Sequence, residues 1–284
     1  MQKSSWISHG STSLFVLLWS SGAITAKLSL LYATPFAFLL MRLGLAFAVL
    51  CLLAARRGRF LPAPGSRITT IGIGLLILGG YTVCYLLALA HGVAPGVLAT
   101  VLGIQPILTL LWTERRFHGR RLAGLALALA GLVLVVWQGI HLEGLGWLGM
   151  AFALGSLLCM TAGAIMQKRS AQAPLDVMPL QYAASLVLCL LIAPSQPLDL
   201  TPGWPLLALL LWLGLVISVG ATLLFYHLIQ GGDLVNVTSL FYLVPAGTAL
   251  LDYLLLGNPL PLLALGGMAA ILGGLALVMG EPKR

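Results

Sequence analysis

A few residues able to hold polar or charged groups stand inside long apolar runs of this chain. Arg42, Lys27 and Asp252 carry formal charge. Tyr81 and Tyr85 are spaced i, i+4, and Ser218, Thr222 and Tyr226 repeat that spacing, with His227 at the adjoining position. Asn236, Ser239 and Tyr242 follow at i, i+3, i+6, and Gln105 lies five residues after Thr100. At these spacings each set shares one helical face. Hydroxyls, amides and aromatic rings so arranged suit hydrogen bonding to a small solute, not bond cleavage. The chain has no HExxH, no acidic metal motif and no serine with a basic partner in a recognisable motif, so a membrane-embedded enzyme is the remote alternative. Cys51, Cys84, Cys159 and Cys189 lack CxxC spacing and read as small apolar residues. No catalytic residue, cofactor or metal is expected.

Each candidate has a rival reading. Charge inside hydrocarbon costs some 2.5–3.5 kcal/mol by insertion scales, so it marks function by default. Arg42 lies about two turns into its span. It could contact an anion or carboxylate, act as a gate, or be a structural arginine that binds helix-end carbonyls or snorkels to the surface. Lys27 and Asp252 lie near span ends, where snorkelling is cheap. Asp252 could couple protons, but pairing with Lys27 or Arg42, or solvation, is favoured. Gln105 precedes Pro106, and the carbonyls a proline frees could join it in binding a zwitterion. Alternatively Pro106 is a hinge, with Pro245 as its partner. The hydroxyl faces could equally serve hydrogen bonding between helices. Trp112 reads as an interfacial residue, whereas Trp19 and the adjacent Ser20 are deeper candidates. His91 and His118 read as turn histidines.

The composition dictates what must position these groups. Hydrophobic residues make up 60% of the chain and charged ones only 8%, with a mean hydropathy of +1.05. Soluble domains carry roughly 25% charged residues, so this chain is expected to lie in lipid. Breaks at proline, glycine and charge clusters delimit ten apolar spans: 13–31, 35–55, 68–90, 94–112, 120–138, 146–166, 175–193, 205–229, 234–255 and 261–280. With the N-terminus inside, 13 of the 15 basic residues fall in inner loops or termini, and only Glu143 and Asp199 charge the outer loops. That bias places both termini in the cytoplasm. It also accounts for the net charge of +8 without a nucleic-acid partner. No cleavage site stands out after the first span, which reads as retained.

The chain also repeats itself. AGLVLVV at 130–136 returns as GGLALVM at 273–279, Gly22-Ala23-Ile24-x-x-Lys27 returns as Gly163-Ala164-Ile165-x-x-Lys168, and Pro106 returns as Pro245. Offsets near 140 divide the chain into repeats at 1–141 and 142–284. Five spans is an odd number, so the second repeat would cross the membrane upside down. The predicted fold is all-α, with ten transmembrane helices as two inverted five-helix repeats around a central cavity.

Leu17-Leu18-Trp19-Ser20-Ser21-Gly22-Ala23, then Lys27, Pro35-Phe36 and Arg42, resembles the opening of an EamA repeat. Ala88-Leu89 to Pro106 and Gly131-Leu132-x-Leu134-Val135 resemble its end, and Pro245, Gly257-Asn258 and Gly274-Leu275 repeat this more loosely. The chain thus resembles the drug/metabolite transporter superfamily, leaning towards bacterial amino-acid and metabolite exporters such as the YddG-type carriers. The resemblance implies a basket of helices with a cavity lined by the first, third, fourth, sixth, eighth and ninth spans. Two departures are visible: Met160 stands opposite Trp19, and Arg42 has no basic counterpart near Gln181 and Tyr182. The implied function is export of amino acids or similar small metabolites across the inner membrane by alternating access, as a monomer. Drugs or amines are the alternative substrates. Few fixed charges suit a zwitterion better than a nucleotide sugar.

Overall fold

The computed structural model describes residues 2–58, 60–93, 95–114, 119–137, 146–170, 172–256 and 261–280. It is 86% helical with no strand among the described residues. The helices are α1 (Gln2–Ser29), α2 (Pro35–Arg57), α3 (Arg67–Gly74), α4 (Tyr81–Ala90), α5 (Pro95–Leu102), α6 (Gln105–Thr113) and α7 (Gly119–Val136). There follow α8 (Trp147–Arg169), α9 (Pro174–Ile192), α10 (Trp204–Leu211), α11 (Thr222–Gly231), α12 (Leu234–Ser239), α13 (Leu243–Leu256) and α14 (Leu262–Met279). Among the described residues, eight helical runs are long and apolar enough to cross a membrane; Val97–Thr113 is shorter. The protein is an integral multi-pass membrane protein.

Two long rods are not uniform α-helix. Leu75–Gly80 between α3 and α4, and Trp212–Ala221 between α10 and α11, are π-helical. They lie about 140 positions apart, the spacing of the sequence matches. Two other rods are broken. α5 stops at Leu102 and α6 resumes at Gln105, while α12 passes through a 3₁₀ turn, Leu240–Tyr242, into α13. Pro106 and Pro245 each fall in the first turn of the resumed helix, where the missing N–H has no intrahelical acceptor to lose. The sequence puts both prolines within spans and expects freed carbonyls or a hinge there. The structure breaks each span just before its proline, because that residue cannot continue the upstream hydrogen-bond ladder.

The chain forms two compact units, residues 1–83 with 162–231 and residues 84–161 with 232–284. The first unit takes one segment from either side of residue 141, whereas the first segment of the second unit runs across it.

In the first unit, α1, α2 and the α10 rod share a core of Ala33, Ala37, Phe38, Leu206, Leu213, Ile217 and Ala221. α9 packs on α2 and α3. At the α3–α9 crossing, a Cβ on Gly74 would lie 2.6 Å from the Gln181 backbone, so only glycine lets the two helices meet this closely. One end is tied by Thr34 N–H to the Asp199 carbonyl (2.9 Å) and Thr201 N–H to the Tyr32 carbonyl (2.6 Å). Elsewhere in this unit Gln172 donates to Ser66 Oγ (2.6 Å) and accepts from Ala63 N–H (2.8 Å). Lys168 Nζ donates to the Ile229 carbonyl (2.8 Å), covering the exposed C-terminal carbonyls of α11.

In the second unit α7 and α14 make the most intimate contact. A Cβ on Gly124 would lie 2.7 Å from the Gly274 carbonyl oxygen, and one on Gly131 would lie 2.6 Å from that of Gly267. The lower-numbered glycine of one helix thus faces the higher-numbered glycine of the other, so the helices run antiparallel. Leu110, Leu125, Leu132, Tyr242, Ile271 and Leu275 pack around this seam. A second cluster joins Ala88, Val93, Val97, Leu98 and Ala153.

Candidate functional site

The first unit holds a chain of polar groups in an apolar setting. The π-helical segment starts it. A π turn disturbs the α hydrogen-bond ladder, and here two side chains answer the carbonyls five residues back. Ser218 Oγ donates to the Leu213 carbonyl (2.8 Å) and Thr222 Oγ1 to that of Ile217 (3.4 Å). The Ser218 carbonyl accepts the Tyr182 hydroxyl. Ser218 Oγ, its proton already committed, accepts from Arg42 Nε at 2.6 Å. Tyr81 and Tyr182 lie near the Arg42 guanidinium. α2, α4, α9 and the π segment therefore deliver four polar residues to one place.

One turn along, Tyr226 Oη donates to Gln181 Oε1 (2.8 Å), and Gln181 Nε2 donates to Gln167 Oε1 (3.0 Å). Tyr226, Gln181 and Gln167 are wholly buried, and Gln167 Nε2 ends the relay without a partner among the described residues. An unpaired buried amide costs about 1–3 kcal/mol. Beside it Trp19 meets Phe15 (4.9 Å between ring centroids) and Phe225 (5.6 Å). Ser20 is buried, while His227 is exposed on the same helix as Tyr226.

In the second unit the polar groups gather at the helix breaks and at one end. Gln105 opens α6, buried, with Nε2 unpartnered among the described residues, and its carbonyl accepts Thr109 Oγ1 (2.8 Å). Tyr242 closes the 3₁₀ turn, wholly buried, its hydroxyl also unpartnered among the described residues. Ser239 bonds back to the Val235 carbonyl (2.6 Å). Thr100 is half-buried on α5, and Tyr85 packs against the Ala88–Val97 cluster. Arg121 clasps Glu114 and Asp233, and also donates to Asn236 Oδ1 at 3.0 Å. Asp233 is at the same time the N-cap of α12, accepting Asn236 N–H at 2.9 Å.

The predicted site residues thus fall into sets. Arg42 and Tyr81 come together with Ser218 and Tyr182. Thr222, Tyr226, Trp19 and Ser20 occupy neighbouring turns of the same unit. Gln105, Tyr242, Ser239, Thr100 and Tyr85 belong to the other unit. Pro106 and Pro245 start helices. The side chains of Lys27 and Asp252, and the residues His118 and Glu143, lie outside the described residues. His91 is exposed in a turn, as predicted.

Gln167, Gln181 and Tyr182 were not singled out as site residues. Two glutamines inside apolar spans are themselves a signal, because a side-chain amide in lipid must face the bundle. The Arg121 clasp joins residues more than a hundred positions apart, which no local pattern reveals.

Residues 147–280 match the profile of the EamA-like transporter family. The match falls on the second half, whose resemblance to an EamA repeat is the looser of the two. The chain is 26% identical to an uncharacterised transporter of Archaeoglobus fulgidus, over 93% of this chain and 95% of that protein. A solved crystal structure superposes with a TM-score of 0.79 at 22% identity, covering 96% of this chain and 97% of that one. This last likeness establishes the fold.

Proposed function

We propose that this chain, a transporter of the drug/metabolite transporter superfamily with an EamA-like domain, exports amino acids or similar small metabolites across the inner membrane by alternating access. The observation that carries the reading is the α7–α14 seam. Gly124 and Gly267, and Gly131 and Gly274, are equivalent positions in the sequence repeat, each pair 143 residues apart. In the seam Gly124 meets Gly274 and Gly131 meets Gly267. Such reciprocal pairing is the signature of a two-fold axis, here between two elements of one chain. Two antiparallel copies of one element are what an inverted repeat requires. The paired π-helical segments and the paired breaks before Pro106 and Pro245 support the same symmetry.

The polar interior supports a small polar solute. Hydroxyls and amides outnumber fixed charges at Arg42, Ser218, Tyr182, Gln181 and Tyr226. In this reading the chain has ten spans, both termini lie in the cytoplasm, and a single copy suffices.

Counterflow tests the proposal. Purified protein is reconstituted in liposomes loaded with one amino acid at a time, and entry of the labelled amino acid is followed without an ion gradient. Entry that requires the internal load is the expected result. Amines and neutral drugs run in the same panel are the alternative substrates. An absence of amino-acid exchange by correctly folded protein ends the amino-acid assignment.

A further inference from the structure

We infer that Arg42 is the carboxylate-binding residue of this protein, and that the solute it handles bears a free carboxylate. The inference rests on the transporter reading and names the chemical group its solute must carry. Arg42 lies on α2, seven residues from the helix start, within the apolar span Pro35–Arg57. Its one hydrogen bond among the described residues is from Nε to Ser218 Oγ at 2.6 Å. No acidic side chain pairs with it among the described residues. Among the described residues its two η nitrogens find no hydrogen-bond partner, and they are not sealed in the interior. They open onto a space inside a membrane span. A guanidinium turned into lipid would be heavily penalised, so that space is polar.

The surroundings aim the group. Ser218 spends its own proton on the Leu213 carbonyl, so its oxygen is left to accept from Nε. The Tyr182 hydroxyl holds the Ser218 carbonyl and so fixes the segment that carries the serine. With Nε held, the two η nitrogens form a fixed fork. A fork of two parallel N–H donors matches the two oxygens of a carboxylate. A phosphate would fit the same fork but carries more charge than one guanidinium balances. A structural arginine uses its η donors on helix carbonyls, and among the described residues this one does not.

The test compares acids with their primary amides, which keep the shape and lose the charge. Thermal stabilisation of detergent-purified protein is titrated with amino acids, 2-hydroxy acids and 2-keto acids, and with the amide of each. In the native protein at least one acid should bind at least about tenfold more tightly than its amide, as expected of a charge-assisted pair. In Arg42→Gln the preference should fall to within about threefold, with Arg42→Lys in between, because it keeps the charge and loses the fork. Ser218→Ala frees Nε and should weaken acid binding more than amide binding. Acid preference among hydroxy or keto acids without amino-acid counterflow would retain this assignment and discard the amino-acid one. Amino-acid counterflow that accepts acid and amide alike would do the reverse. Equal binding of every acid and its amide by the native protein, stabilisation by neither, or a preference that survives in Arg42→Gln, overturns the role given to Arg42. So does stabilisation by inorganic phosphate alone.

Discussion

Gly131 on α7 stands directly against Gly267 on α14, so close that a Cβ on either would lie 2.6 Å from the other's carbonyl oxygen. Backbone cannot retreat as a side chain can, so the seam admits no larger residue without parting the helices. Gly131→Ala should cost about 1–3 kcal/mol, the usual penalty for overpacking, read as a lowered midpoint in thermal unfolding of the purified protein. Gly44, with nothing within 4 Å of its would-be Cβ, is the control and should tolerate alanine. Gly131→Ala and Gly267→Ala should be strongly non-additive, because the two sites share one contact.

Tyr226→Phe deletes the donor that satisfies Gln181 Oε1 inside the first unit. Leaving a buried acceptor unpaired should cost about 1–3 kcal/mol. The protein should still insert in the membrane, and its unfolding midpoint should drop. Adding Gln167→Leu and Gln181→Leu to Tyr226→Phe removes the whole relay and should recover part of that loss, since a buried amide with an unpaired atom is worse than no amide.

The Arg121 clasp should be separable from the helix cap it shares. Asp233→Ser keeps an N-cap acceptor and loses the ion pair, whereas Asp233→Ala loses both. The gap between the two variants should be about 1 kcal/mol, the usual worth of a cap. The ion pair is part-exposed on the aspartate side and should weaken with added salt. If the Asp233→Ser deficit is the same at low and high salt, the clasp contributes little.

Sidedness follows from the basic residues. In a protein freed of Cys51, Cys84, Cys159 and Cys189, Asp199→Cys should react with a membrane-impermeant maleimide added to whole cells. Arg57→Cys should react only after the membrane is opened, and the opposite pattern would invert the assigned topology.

Helix content and the turns around Gly92 and Asp233 were legible in the sequence, because apolar run length, glycine and proline report on local backbone directly. The antiparallel glycine seam was half legible. The repeat AGLVLVV/GGLALVM was visible, but which glycine meets which depends on how the two helices cross. The π segments were not legible, since Leu75–Gly80 is as apolar as any α-helix in lipid and period gives no sign of the extra residue. The Arg42 environment was read from one side only. Arg42 stood out as a charge, whereas Ser218 looked like one more hydroxyl on a helix face. Its role depends on the π turn that commits its proton to Leu213.

The π-helical stretches carry a consequence for phase. Each residue occupies about 100° of an α-helical turn, so one surplus residue rotates everything beyond it by that much. Arg67–Gly74 and Tyr81–Ala90 are therefore two helical wheels with a common axle, out of step with each other. So are Trp204–Leu211 and Thr222–Gly231. Substituting within Leu75–Gly80 leaves the downstream wheel where it is. Deleting a single residue there would swing Tyr81 to a new bearing with its neighbours unchanged in sequence. In these two rods the number of residues, more than their identity, sets where the side chains beyond them point.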